Sequence, residues 1–242
     1  VRLLVSLQSA DEVAAATAGG ADIIDAKDPA AGPLGAVSLA ILRGILARVP
    51  ATVPVSVALG DLSDPATVRA AVAGAAAELR SAPSYVKLGF AGVPDPGAIA
   101  SLIATAVEAA AESVSRPTVV PVAYADWDNA GTAPPESVVA AAIAAGARAF
   151  LVDTCAKDGR TLLDWLDRER LETLARRARS AGLLVALAGS LGRAQVDELG
   201  GLADVVGVRG SVCRGGRNGA LDAELVRELR ERMLASIGVP IP

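Results

Sequence analysis

Only three of the 23 basic residues in this 242-residue chain are lysines, at positions 27, 87 and 157; every other one is arginine. The two side chains carry the same charge but not the same chemistry. An amine can lose its proton and attack a carbonyl, whereas guanidinium stays charged. Together with the alanine richness, the bias suggests GC-rich codons under which solvent-facing lysines drift to arginine. The lysines that remain are therefore candidates for chemistry. Carboxylates stand near two of them: Asp25 precedes Lys27 by two residues, and Asp153 precedes Lys157 by four. An amine beside another ammonium, partly withdrawn from water, is able to form a Schiff base with an aldehyde or ketone. A second amine could then move protons while the carboxylates orient both.

The rest of the composition narrows the field. The chain contains no histidine, which excludes a Ser-His-Asp triad, a Cys-His pair and every histidine-containing metal site. Two cysteines without CxxC spacing offer neither a disulfide framework nor a zinc ribbon. Cys155 lies between Asp153 and Lys157, yet without a histidine base it is read as a small space-filler. The aspartates could bind Mg²⁺ in principle, but no dense acidic cluster calls for it, so neither a metal nor another cofactor is expected. A net charge of −4 and six aromatic residues argue against nucleic-acid binding. No apolar run reaches the roughly 18 residues that cross a bilayer, and no signal peptide is evident. The expectation is a cytoplasmic protein without membrane partners.

The elements that must position these residues follow from periodicity. Short, nearly continuous apolar runs are expected as strands at Arg2–Ser6, Asp22–Lys27, Pro54–Leu59, Tyr85–Gly89, Thr118–Tyr124, Ala149–Asp153, Leu183–Ala188 and Asp204–Arg209. Between them lie helical patterns at Ala10–Ala18, Leu39–Arg48, Ala66–Arg80, Pro96–Val114, Glu136–Ala145, Leu163–Ser180, Arg193–Leu199 and Asp222–Ser236. Ser9 with Glu12 has the spacing of a capping box. No linker or composition shift marks a second domain. Eight βα units fit a single α/β domain over residues 1–242, a (βα)8 TIM barrel of eight parallel strands. A doubly wound sheet is disfavoured because Ser6-Leu7-Gln8-Ser9 stands where GxGxxG would be. Helical faces with little charge, such as Val138–Ala145, suggest subunit contacts in a homo-oligomer.

In such a barrel, active groups sit at the C-terminal ends of strands. The period-two rule puts Asp25 and Lys27 on one face of strand two, Lys87 on the matching face of strand four and Asp153 at the end of strand six. Alternate strands supply one interior layer, so Lys27, Lys87 and Asp153 are expected to face one another, with Lys157 in the following loop. A purely structural reading would leave Lys27 and Lys157 as solvated loop residues and pair Lys87 with Asp25 or Asp153. A barrel centre is a costly place for such charges. After strands seven and eight, Gly189, Ser190, Arg209 and Gly210 are candidates to hold a phosphate. Arg214-Gly215-Gly216-Arg217 either extends that site or forms a loop. Asp61, Asp126 and Asp128 either contact substrate hydroxyls or cap helices, and Tyr124 could donate a hydrogen bond inside the barrel.

The segments GGADIIDAKDPAAGPLGA, YVKLGFAGV, VPVAYAD, LVDTCAKDGRTLLD, ALAGSL and DVVGVRGSVC resemble, in order, those of the (5-formylfuran-3-yl)methyl phosphate synthases. The likeness runs from Leu3 to about Leu234. It implies a (βα)8 lyase that joins two glyceraldehyde 3-phosphate molecules into a phosphorylated furan aldehyde, with loss of phosphate and water. Such a furan is a precursor of methanofuran-type C1-carrier coenzymes. By the same likeness, Lys27 is the Schiff-base former and Lys87 the proton acceptor, with Asp25, Asp153 and Lys157 as the remaining active-site charges. Two rivals stand beside it: a lysine-dependent phosphosugar aldolase using the same residues, and a non-catalytic barrel that binds phosphorylated ligands.

Overall fold

The computed structural model describes residues 1–79, 83–199 and 201–236. Eight parallel strands close into a barrel in sequence order: β1 (Arg2–Leu7), β2 (Ile23–Ala26), β3 (Val55–Asp61), β4 (Ser84–Gly89), β5 (Thr118–Tyr124), β6 (Ala149–Asp153), β7 (Leu184–Leu187) and β8 (Val205–Val208). The helices outside are α1 (Val13–Ala18), α2 (Leu39–Arg48), α3 (Pro65–Glu78), α4 (Pro96–Glu112), α5 (Trp127–Ala130), α6 (Pro135–Ala144), α7 (Arg168–Ser180), α8 (Arg193–Leu199) and α9 (Ala223–Ser236). The expected (βα)8 barrel is thus the observed fold.

Local chemistry sets the helix starts. Ser38, Asp64, Asp95 and Asp167 each accept a main-chain N–H in the first turn of α2, α3, α4 and α7. Proline in the first turn of α3, α4 and α6 gives up an N–H that has no helical partner there. One apolar layer joins the outward strand faces to the helices, and a smaller one, with Ala58, Val122, Tyr124 and Leu151, fills the barrel.

Four expectations need correction. Ser9 makes no side-chain cap, and Ala10–Glu12 is a 3-10 turn rather than α-helix. Glu12 instead accepts from the Gln8 N–H and pairs with Arg209, a buried cation with a stronger claim on a carboxylate. The helix expected at Leu163–Ser180 is α7 and starts at Arg168, because Thr161 and Asp164 cap each other across a separate 3-10 turn at Leu162–Asp164. Val138, Val139, Ala141 and Ala142 are buried within this chain, so the uncharged stretch of α6 is largely internal packing. The third helix begins one residue early, while its expected end at Arg80 lies outside the described residues. Two further features carry no signal in the hydrophobic pattern: α5, and a hairpin of β9 (Cys213–Arg214) with β10 (Ala220–Leu221) after the barrel closes.

Candidate active site

Strand register brings the expected charges together at one mouth of the barrel. Ser6 of β1 lies beside Asp25 of β2, and Lys87 lies beside Ala58 of β3 on one side and Val120 of β5 on the other. Asp25 is fully buried, and one of its carboxylate oxygens accepts from both Lys87 Nζ (2.7 Å) and Ser6 Oγ (2.7 Å). Burial pushes the Asp25 carboxyl up, but the charges of Lys87 and Lys27 and these two hydrogen bonds outweigh it and hold the group below its ordinary value. Across the mouth, Lys157 Nζ donates to Asp153 (2.9 Å) and to Thr154 Oγ1 (3.0 Å). Burial opposes ionisation of Asp153 too. Lys157, Lys27 and the Thr154 N–H prevail and bring it down to about 2.

Two amines are thus paired with two carboxylates, and the third is left over. Lys27 is buried, and its amine makes neither an ion pair nor a hydrogen bond within the described residues. Burial lowers its pKa to about 8; Lys87 and Lys157 add to the effect, while Asp153 and Asp25 oppose it. At pH 7 a pKa of 8 makes the neutral amine roughly 300-fold more abundant than in an ordinary lysine. That is the electrostatic setting a nucleophilic amine needs.

Lys27, Lys87, Asp153 and Lys157 line a cavity of about 420 Å³, and so do Gly189, Ser190, Arg209 and Gly210. Asp25 stands behind Lys87 rather than on the cavity wall. The loop after β7 is built for close approach. Gly189 (φ +109°) packs so near Thr154 and Leu162 that a Cβ would crowd both, and Ser190 is held at φ +53°. Among the described residues the N–H groups of Gly189, Ser190 and Leu191 have no protein acceptor, and these residues edge the cavity. Arg209 is arranged differently from the expectation of a free phosphate ligand. Its guanidinium is buried and donates to both oxygens of Glu12 (3.0 Å each) and to the carbonyls of Ser6 and Arg217 (2.8 Å each).

The remaining candidates hold loops in place. A shift in register between Ala58 and Asp61 turns Asp61 toward its neighbours, where it accepts from Tyr124 Oη (2.8 Å) and the Ala91 N–H (2.9 Å). Burial raises the Tyr124 phenol, and the Asp61 carboxylate adds to it. Asp126 accepts the N–H groups of Cys155 and Ala156, fixing the start of the loop that carries Lys157. Asp128 is exposed. Burial and the nearby carboxylates raise the Cys155 thiol to about 11, which leaves it inert. Of the other parts of this site and its supports, sequence reasoning passes over Ser6, gives Glu12 only a capping role, and offers Arg217 either as an extension of the anion site or as a loop residue. Ser6, a polar residue on the inward face of an apolar strand, carries a readable signal.

The family model described as 4-HFC-P synthase matches residues 3–230. The chain belongs to that family. It is 39% identical over 233 residues to the (5-formylfuran-3-yl)methyl phosphate synthase of Methanothermobacter thermautotrophicus, covering 95% of this chain and 97% of that one. With the synthase of the same name from Methanopyrus kandleri it shares 40% over 238 residues, or 96% and 98% of the two chains. Among solved structures, KGPDC from Streptococcus mutans has a TM-score of 0.67 at 13% identity, covering 98% of this chain and 99% of that one. Phosphoribosyl anthranilate isomerase from Thermus thermophilus has 0.63 at 17%, covering 97% and 99%. These last two likenesses concern the barrel alone. Among the described residues, no helix of this 4-HFC-P synthase family member is long and apolar enough to cross a membrane.

Proposed function

We propose that this chain is a Schiff-base lyase that condenses two molecules of glyceraldehyde 3-phosphate into (5-formylfuran-3-yl)methyl phosphate. Two three-carbon trioses give one six-carbon furan, and one phosphate and two waters leave. The observation that carries the reading is the unpaired, low-pKa amine of Lys27 between two amine–carboxylate pairs. The family membership supports the same product.

In this reading the neutral Lys27 amine adds to a carbonyl and water departs, leaving an iminium. The iminium draws electrons from the adjacent C–H bond, and Lys87, in its neutral form once its own proton has passed to the Asp25 carboxylate it touches, takes that proton while Asp25 and Ser6 hold it in place. The second triose phosphate loses its phosphate by elimination across its C2 and C3, leaving an enol–aldehyde, and the enamine carbon adds to that C3 to form the new C–C bond. The C2 hydroxyl of the second unit then closes onto C1 of the first, and expulsion of the Lys27 amine with loss of the second water gives the aromatic furan. Lys157 and Asp153 sit opposite, where they serve proton movements at the second carbonyl. No step changes the overall oxidation level, so no external oxidant or reductant is required. The reaction belongs to the supply of furan units for methanofuran-type C1 carriers.

Incubation with glyceraldehyde 3-phosphate tests the reading. The expected result is an ultraviolet-absorbing furan aldehyde of matching mass, with one phosphate released per product. An aldol adduct without furan absorbance or phosphate release would assign the aldolase chemistry instead. Binding without turnover would assign the non-catalytic barrel.

A further inference from the structure

Arg217 is a half-buried guanidinium in the wall of the same cavity, and among the described residues it has no carboxylate partner. One of its amino groups donates to the carbonyls of Gly32 (2.9 Å) and Pro29 (3.1 Å), in the loop that follows Lys27. Its remaining side-chain nitrogens have no protein acceptor among the described residues. The contrast with Arg209 is direct, since Arg209 is neutralised by Glu12. Burial pushes the Arg217 pKa down, as expected of a cation partly withdrawn from water. A charge in that state gains when an anion arrives.

The surroundings supply the other parts of an anion site. Ser211 Oγ is buried without a hydrogen-bond partner among the described residues, and Ser211 lines the cavity. Gly210 lies against the main chain of Arg217, where a Cβ would sit 3.6 Å from the Arg217 nitrogen. The unpartnered N–H groups of Gly189, Ser190 and Leu191 edge the cavity as well. Arg217 is also held at both ends. Its carbonyl accepts from Arg209 Nε (2.8 Å), and the carbonyls of Pro29 and Gly32 fix its guanidinium plane. A planar fork held this way can present its other N–H groups to phosphate oxygens.

We propose that Arg217, with Ser211 and the Gly189–Leu191 main chain, receives the phosphate of a triose phosphate, and that Arg209 with Glu12 is the foundation that sets Arg217 in place. This assignment rests on the lyase reading above and deepens it. The loop gripped by Arg217 leaves directly from Lys27, so the grip sets how far a bound phosphate lies from the reactive amine. An aldehyde carrying a phosphate at that distance is favoured over one without.

The test compares how glyceraldehyde 3-phosphate and unphosphorylated glyceraldehyde compete to become fixed on Lys27 under borohydride. The readout is the ratio of their half-saturating concentrations. In Arg217→Gln the preference for the phosphorylated aldehyde should fall about 10-fold or more, the scale of a lost charged hydrogen-bond pair. In Arg217→Lys, which keeps the charge but loses the fork, the fall should be intermediate. Losses that strike both aldehydes alike and leave the ratio intact would make Arg217 merely structural and overturn the proposal. If the wild type is not labelled by either aldehyde, the lyase reading fails instead. Calorimetric titration with inorganic phosphate then decides Arg217 alone. Weaker binding by Arg217→Gln than by wild type supports the site, and equal binding refutes it.

Discussion

The two arcs of the barrel mouth are built from different material. Across β2, β4 and β6 the proposed working groups are side chains on strands: Asp25, Lys87 and Asp153, with Lys27 one residue beyond β2. Across β7 and β8 they are main-chain N–H groups at Gly189–Leu191 and an arginine delivered by a hairpin. The first arc pairs its charges internally and leaves a single amine open. The second leaves its donors open among the described residues, as the proposed phosphate site requires. A strand fixes a side chain to within the pleat, which suits covalent chemistry that needs a defined angle of attack. A glycine-rich loop brings the backbone close to a ligand, which suits recognition of a rounded, multiply charged group.

If that division is correct, substitutions in the first arc should damage turnover and those in the second should damage affinity or stability. Lys27→Arg should have the largest effect, taking turnover to background, because guanidinium cannot form the imine. Steady-state assays with glyceraldehyde 3-phosphate check this, and measurable turnover would remove Lys27 from the covalent role. Lys87→Arg keeps the charge beside Asp25 but not the proton-transfer chemistry. It should lower kcat by about 10²-fold or more with little change in KM. A raised KM with kcat intact would show that only charge matters there.

The pH dependence should be next in size. Because the Lys27 pKa is lowered to about 8, the neutral amine becomes more abundant as pH rises. Imine formation should therefore climb about tenfold per pH unit below 8 and level off above it. A plateau already reached at pH 6 would contradict this. The same displacement carries a stability cost. The folded chain holds that proton less tightly than the unfolded one, so the penalty is full below pH 8 and disappears as pH rises from 8 toward 10.5.

The smallest effect on chemistry should come from Glu12→Gln. It leaves the buried Arg209 without its carboxylate and should destabilise the fold by about 3 kcal/mol, read as a lower thermal midpoint. A stable variant with unchanged melting would mean that Arg209 does not depend on this pair.

The same division explains what is legible in the sequence. Alternation along short apolar strands is enough to put Asp25, Lys27, Lys87 and Asp153 on inward faces, and β2, β4 and β6 do bring them to one mouth. The second arc is only half legible. Gly189, Ser190 and Gly210 stand where strand ends and glycines suggest. Arg209 looks like the anion ligand because a strand-end arginine shows its position but not its partner. Glu12 reaches it from 197 positions away, at the opposite end of the barrel sequence. Arg217 depends on a hairpin whose turn contains Gly215 and Gly216 at positive φ, a path that no hydrophobic period encodes. The Ser9–Glu12 capping box fails for a related reason: a local motif loses its carboxylate to a buried charge from far along the chain.

Borohydride reduction in the presence of glyceraldehyde 3-phosphate, followed by peptide mapping, puts the role of the unpaired amine to the proof. The account predicts a triose-derived mass on the peptide carrying Lys27, absent without borohydride and absent in Lys27→Arg. A stable adduct on Lys87 or Lys157 with Lys27 unmodified would contradict it.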